Sequence, residues 1–272
     1  MTPTSASTTA HGPRQVDAGQ RWLDAAREVL EGVARQHDAI EETSRICADA
    51  IAGQGLVHLF GTGHSRIPLE EMFPRYGSYP GFHPIAELSM TFHTQVVGAN
   101  GQRQAMFIER VSGLADQILA NFALGPPDAL MVFSAGGRSA VPIELALGAR
   151  ERDVKVIAVT SIEQSRAAPA THHTGTRLLD HADVVLDLGT PPADAMVSLD
   201  GLDVPVGPGS TVANVALVNA VKVRTAELLV ERGAMPPVIT SEAVVGAERS
   251  EALFEAAYLE HARRLTKALR TS

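Results

Sequence analysis

Two short stretches of this 272-residue chain carry glycines and hydroxyls at a spacing suited to an anion: Gly61-Thr62-Gly63-His64-Ser65 and Ser134-Ala135-Gly136-Gly137-Arg138-Ser139. Glycine lets the backbone approach a ligand closely, and Ser and Thr add hydroxyl donors. Where such a turn opens a helix, the helix N-terminus adds N–H groups and a favourable dipole. Two hydroxyl-bearing turns of this kind can surround one phosphate. Two other phosphate devices do not fit. A Rossmann dinucleotide site needs a third glycine where Arg66 stands, because a side chain there obstructs close helix–strand packing. A P-loop needs Gly-Lys followed by Ser or Thr, which neither turn contains.

The elements around the turns read as an α/β domain. From Gln15 to Ala52, apolar residues recur at helical spacing, through Trp22, Ala26, Val29 and Val33 and then Ile40, Ile46, Ala50 and Ile51, which predicts two helices. Beyond them, short apolar runs alternate with helical stretches, the rhythm of a parallel sheet. The expected strands are Leu56–Phe60, Gly81–Ile85, Ala129–Phe133, Val154–Thr160 and Val184–Leu188. All but the second are nearly continuous hydrophobics, as burial on both faces requires. Helices are expected over Ile67–Tyr76, Arg103–Phe122, Ala140–Arg152, Thr211–Arg232 and Glu248–Leu269. The fold class is a three-layer α/β sandwich on a mostly parallel five-stranded sheet, with residues 15–272 as one domain and residues 1–14 as a disordered tail. Each turn then follows a strand, the first and the third. Ser139 falls where the N-cap of the next helix belongs.

Composition narrows the partners. A formal charge of −8 gives no broad electrostatic footprint for nucleic acid, yet one anion pocket stays compatible with it. No stretch reaches a membrane span, and the N-terminus lacks the apolar region of a secretion signal, so a cytoplasmic protein is expected. Cys47 is the one cysteine, which excludes a disulfide framework and reads as a small apolar residue on a helix.

The paired turns resemble those of the sugar isomerase (SIS) domain family, whose members bind phosphorylated sugars between them. The resemblance runs from Leu56 to Gly246 and is carried by Phe60-Gly-Thr-Gly-His-Ser65, Glu109-Arg-Val-Ser-Gly-Leu-Ala115, Val159-Thr-Ser-Ile-Glu-Gln-Ser165 and Pro236-Pro-Val-Ile-Thr-Ser241. It points to a poorly characterised bacterial branch of that family. The relatives implied include phosphoheptose isomerase, N-acetylmuramic acid 6-phosphate etherase and regulatory sugar-phosphate sensors. One departure stands out. The family's second turn is Ser-x-Ser-Gly, whereas this chain has Ser134-Ala135-Gly136-Gly137, one hydroxyl fewer, and Arg138 is placed to compensate by charge-assisted hydrogen bonds.

The resemblance implies proton chemistry next to a carbonyl. Isomerisation and elimination on an open-chain aldose both begin when a base removes the proton on C2. Glu87, after the second strand, and Glu109, before the third, are the expected carboxylates. Glu109 follows a Gly98-Ala-Asn-Gly101 turn that resembles the turn and glutamate helix of the etherase, and is the principal base or acid. His173, in a loop resembling a Ser-Arg-His-x-Ser-Gly pattern, is the expected proton shuttle; His64 and Asp194 are expected to contact the sugar phosphate, and His93 is read as structural. No metal is expected, because no Asp/Glu/His set at recognisable spacing completes the His172-His173 pair, and no cofactor is expected. The expected function is a lyase removing water across C2–C3 of an amino-sugar 6-phosphate such as N-acetylglucosamine 6-phosphate. An aldose–ketose isomerase and a non-catalytic sugar-phosphate sensor are the alternatives. The resemblance also implies a homodimer or homotetramer.

Overall fold

The computed structural model describes residues 17–91 and 102–269. The tail, His93 and the Gly98–Gly101 turn lie outside the described residues. Two helices come first, α1 (Ala18–Ala34) and α2 (His37–Ala52), followed by strand β1 (Val57–Gly61), α3 (Ile67–Met72) and β2 (Phe82–Ile85). Then come α4 (Leu88–Thr91), α5 (Gln102–Ile108), α6 (Leu114–Leu119), β3 (Ala129–Phe133), α7 (Ala140–Arg150) and β4 (Lys155–Thr160). The chain continues through α8 (Ile162–Arg166), β5 (Val184–Asp187), α9 (Ser210–Glu231), α10 (Glu242–Val245) and α11 (Ala247–Ala268).

The five strands form one all-parallel sheet in the order β2-β1-β3-β4-β5. Alternation along the strands divides the core in two. Val57, Leu59, Met131, Phe133, Ile157 and Val159 face the layer built from α1, α2, α3 and α9. Phe60, Leu130, Val132, Val156 and Ala158 face α6 and α7 on the other side. Strands sandwiched in this way must be apolar on both faces, which is why their sequence runs are continuous. Cys47 is fully buried on α2, and that burial pushes its thiol up to about 12.

Two expected helices are shorter than periodicity suggests. The segment from Ile67 stops at Met72 because Phe73 precedes Pro74, whose ring drives it to extended backbone at ψ 149°. The expected helix over Arg103–Phe122 is two helices, α5 and α6, with Gly113 at φ 86° entering the second. That interruption matters, because Glu109 sits in it.

The order of the strands fixes where a ligand belongs. From β1 the chain crosses to β2 on one side and then returns to place β3 on the other. Such a switch point leaves a crevice at the carboxyl ends of the two central strands, lined by the loops that leave them. The loops leaving β1 and β3 are the two glycine turns. Gly61 pairs in register with Phe133, so both turns start at the same level of the sheet.

Candidate functional site

The first turn folds back on itself immediately after β1. A Cβ on Gly61 would collide with the carbonyl oxygen of Ser65, so only glycine fits. Gly63 takes φ 54°, and Gly63–Arg66 form one 3-10 turn closed by the Ser65 N–H donating to the Thr62 carbonyl at 2.9 Å. His64 is exposed, and Ser65 half-buried.

The second turn is braced against β4. The Ala135 carbonyl accepts from the Ser161 N–H at 3.0 Å and from Thr160 Oγ1 at 3.1 Å, and the Gly137 N–H donates to Ser134 Oγ at 3.2 Å. Gly137 takes φ 56° with Thr160 Oγ1 only 2.9 Å from where a Cβ would stand. A Cβ on Gly136 would meet the Arg138 side chain, in ordinary contact at 4.0 Å. Arg138 leans outward, its guanidinium donating to the Pro169 carbonyl at 3.4 Å.

Ser139 occupies the N-cap position of α7, as the sequence suggests, but its hydroxyl does not cap the helix. It donates instead to Glu109 Oε1 at 2.8 Å. Thr62 of the first turn donates to the other oxygen, Oε2, at 2.6 Å. One carboxylate therefore ties the two turns together. Glu109 lies just past the end of α5, where its own carbonyl accepts the Val141 N–H at 3.0 Å, so main chain and side chain both anchor it to the second turn. Accepting both hydroxyls fixes the orientation of the Glu109 carboxylate between the turns.

The other expected residues fare differently. Glu87 sits in the segment between β2 and α4, at the carboxyl edge of the sheet, and among the described residues its carboxylate makes no hydrogen bond to Glu109 or to either turn. Asp194 is engaged within the chain. Its Oδ1 accepts the N–H groups of Gly209 at 3.0 Å and Ser210 at 2.8 Å, and its Oδ2 accepts Ser210 Oγ at 2.5 Å. Both oxygens are spent on the N-terminus of α9, a capping role exercised from a distant loop.

His173 is exposed and lines a cleft of about 520 Å³ with Arg110, Arg138, Ser139, Thr171 and His172. His172, which the sequence reading set aside, is the fixed member of the pair. It is buried, with Nδ1 2.7 Å from Thr174 Oγ1 and Nε2 3.2 Å from Glu144 Oε1. A signal for it was present: the His-x-Ser-Gly spacing falls on His172-His173-Thr174-Gly175, with threonine for serine. Glu144 had no such signal, since it reaches the histidines from α7 across 28 residues of sequence. Its arrival also removes the ground on which a metal was discounted, because Glu144, His172 and His173 form a three-residue set of ligand type.

A family model described as the SIS domain matches residues 21–161. A UPF0309 protein of Streptomyces coelicolor is 36% identical over 232 residues, covering 84% of this chain and 90% of its own length. A UPF0309 protein of Geobacillus kaustophilus is 33% identical over 229 residues, covering 84% and 89%. Among solved structures, a phosphoheptose isomerase from Francisella tularensis aligns with a TM-score of 0.49 at 15% identity, over 76% of this chain and 95% of that one. The Vibrio vulnificus NanR protein complexed with ManNAc-6P aligns with a TM-score of 0.45 at 14% identity, over 89% and 68%.

Proposed function

The chain belongs to the SIS domain family, and from that premise we propose that it is an enzyme acting on a phosphorylated sugar held between its two glycine turns, with Glu109 moving the proton on C2. The observation that carries this reading is the pair of hydrogen bonds from Thr62 and Ser139 to the Glu109 carboxylate. They set a base at the junction of both turns, where a sugar whose phosphate lies on the turns presents its reactive end. In this reading Gly61, Gly63, Ser65, Ser134, Gly136 and Gly137 supply close backbone and hydroxyl contacts, and Arg138 serves the phosphate from the cleft side.

The finer reaction we propose is loss of water across C2–C3 of an amino-sugar 6-phosphate: Glu109 takes the C2 proton and a second group protonates the departing C3 hydroxyl. Glu87 and His173 are the proposed donors of that second proton. Aldose–ketose isomerisation is the second reading, and one observation favours it. Among the described residues Glu109 is the carboxylate joined to both turns, and moving a proton from C2 to C1 takes one base.

Incubation with a panel of hexose and N-acetylhexosamine 6-phosphates, followed by mass and NMR, separates the readings. A product lighter by ~18 mass units, one water, marks elimination. An isobaric product with a new spectrum marks isomerisation. Binding without turnover overturns the enzymatic reading in favour of a sensor. Self-association as a dimer or tetramer belongs to the same proposal; exposed Leu23 and Leu30 on α1 support it, and light scattering tests it.

A further inference from the structure

In the cleft beside the second turn, Glu144, His172 and His173 each bring a ligand-type atom to within 4.8 Å of the others. We infer that this triad binds a divalent cation of the zinc or cobalt class, with open coordination positions facing the cleft. The inference does not rest on the proposed sugar-phosphate reaction.

Two imidazoles and one carboxylate are the donor set that zinc and its neighbours prefer, and three protein ligands leave room for a water or an exogenous ligand. The set is already oriented. Glu144 Oε2 accepts the Gly113 N–H at 2.8 Å, which turns Oε1 towards His172 Nε2 at 3.2 Å. The far nitrogen of His172, Nδ1, lies 2.7 Å from Thr174 Oγ1, the kind of outer bond that fixes ring orientation in metal-ligating histidines. From Thr174 a hydroxyl relay runs to Thr176 Oγ1 at 2.6 Å and on to His181 Nε2 at 2.7 Å. Hydroxyls can donate in either direction, so the relay can take a proton from Nδ1 once a cation holds Nε2, at the loss of the long 3.4 Å bond that the Thr174 N–H donates to Nδ1.

His173 is what separates a metal site from an ion pair. A plain imidazole–carboxylate pair accounts for His172 and Glu144 and gives His173 no part. Yet the His173 ring lies 4.1 Å from that of His172, exposed, with a nitrogen within reach of the same point. The cleft also carries positive charge. Arg138 is turned to the Pro169 carbonyl and Arg110 is exposed, so both are screened by partners or water, and they favour an anionic co-ligand on the cation.

The full-length protein, stripped with a chelator and moved to metal-free buffer, is titrated with Co²⁺ and followed by visible d–d absorption, with Zn²⁺ calorimetry in parallel. The expected result is one equivalent per chain, with the strong absorption of four- or five-coordinate cobalt. Glu144→Gln and His173→Ala are each expected to weaken binding by about 100-fold, and Thr174→Ala by about 10-fold. Because His173 is exposed, His173→Ala retains its thermal midpoint, and that midpoint is measured beside the titration. Absence of saturable binding, or His173→Ala binding cobalt as tightly as the unaltered chain, overturns the site and leaves a structural ion pair. Sugar-phosphate turnover is not read in this experiment, and a cation on His173 leaves Glu87 as the donor of the second proton, so the loss of either proposal is distinguishable from the loss of the other.

Discussion

Strand β1 carries polar chemistry at both ends, and the two ends treat it in opposite ways. At its carboxyl end Thr62 is half-buried among glycines, and the hydroxyls of Thr62, Ser134 and Ser139 each have a named partner. Near its amino end, His58 is fully buried, with neither ring nitrogen hydrogen-bonded. It stands edge-on to His83 at 5.5 Å and to Phe122 at 5.6 Å, and His261 of α11 follows His83 at 5.9 Å. Asp128 is 3.9 Å from His58 Nε2 but spends itself on the Leu56 N–H at 2.8 Å. One end of the sheet carries hydrogen-bonded hydroxyls and close backbone; the other is kept dry around imidazoles that stay neutral. Burial pushes His58 down to about 3 and His83 to about 4, with neighbouring histidines adding to the effect. The difference teaches that a titratable residue in a strand says little by itself until its burial and its partners are known.

That contrast can be broken most forcefully at Glu109. Glu109→Gln keeps the shape and both hydroxyl contacts and removes the base, so turnover is expected to fall by about 10²–10⁴-fold with little change in thermal midpoint. Full activity in that variant removes Glu109 from the mechanism.

The amino end answers to pH. A folded pKa below the unfolded value of 6.5 means that the unfolded chain takes the proton first. Stability is therefore full above pH 6.5 and declines as pH falls towards the folded value, by roughly 2 kcal/mol from His58 alone between pH 6.5 and pH 5. Urea unfolding at a series of pH values measures the slope, and His58→Phe, which fills the space without titrating, is expected to flatten it. An unchanged slope would show that the buried imidazoles do not set the acid limit.

Smaller effects sharpen the carboxyl end. Thr62→Ala removes one of the two donors that hold Glu109 and is expected to lower kcat by about tenfold, in keeping with the 1.5–3 kcal/mol of a hydrogen bond to a charged group shared with water. Arg138→Ala is expected to raise KM several-fold while leaving kcat nearly unchanged, because its guanidinium donates to the Pro169 carbonyl while Thr62 and Ser139 hold Glu109.

Most of the scaffold was legible because it is dictated locally. Strands buried on both faces announce themselves as apolar runs, and β1, β3, β4 and β5 fall within a residue of their expected ends. The glycine turns were legible for the same reason, since a tight reversal at Gly61 or a positive φ at Gly137 is written in the residue itself. What escaped depends on contacts between distant segments. Asp194 looked like a ligand residue because nothing in its neighbourhood showed that Gly209 and Ser210, some fifteen residues on, would claim both of its oxygens. Glu109 was expected inside a continuous helix, and the break that frees it is set by Gly113, whose N–H is held by Glu144. Between His172 and His173 the His-x-Ser-Gly spacing points to the first, while the carboxylate that fixes it, Glu144, lies 28 residues away in sequence.

The N-cap position of α7 holds a lesson for anyone redesigning this chain. Ser139 gives its hydroxyl to Glu109 and leaves the helix end without a side-chain cap, a local sacrifice of about 1 kcal/mol by the usual value of such caps. A stability-guided search would be drawn to that position and would favour aspartate there. The replacement would firm the helix and set a second negative charge against Glu109, so the most tempting thermostabilising change on this face is one that undoes the tie between the two turns.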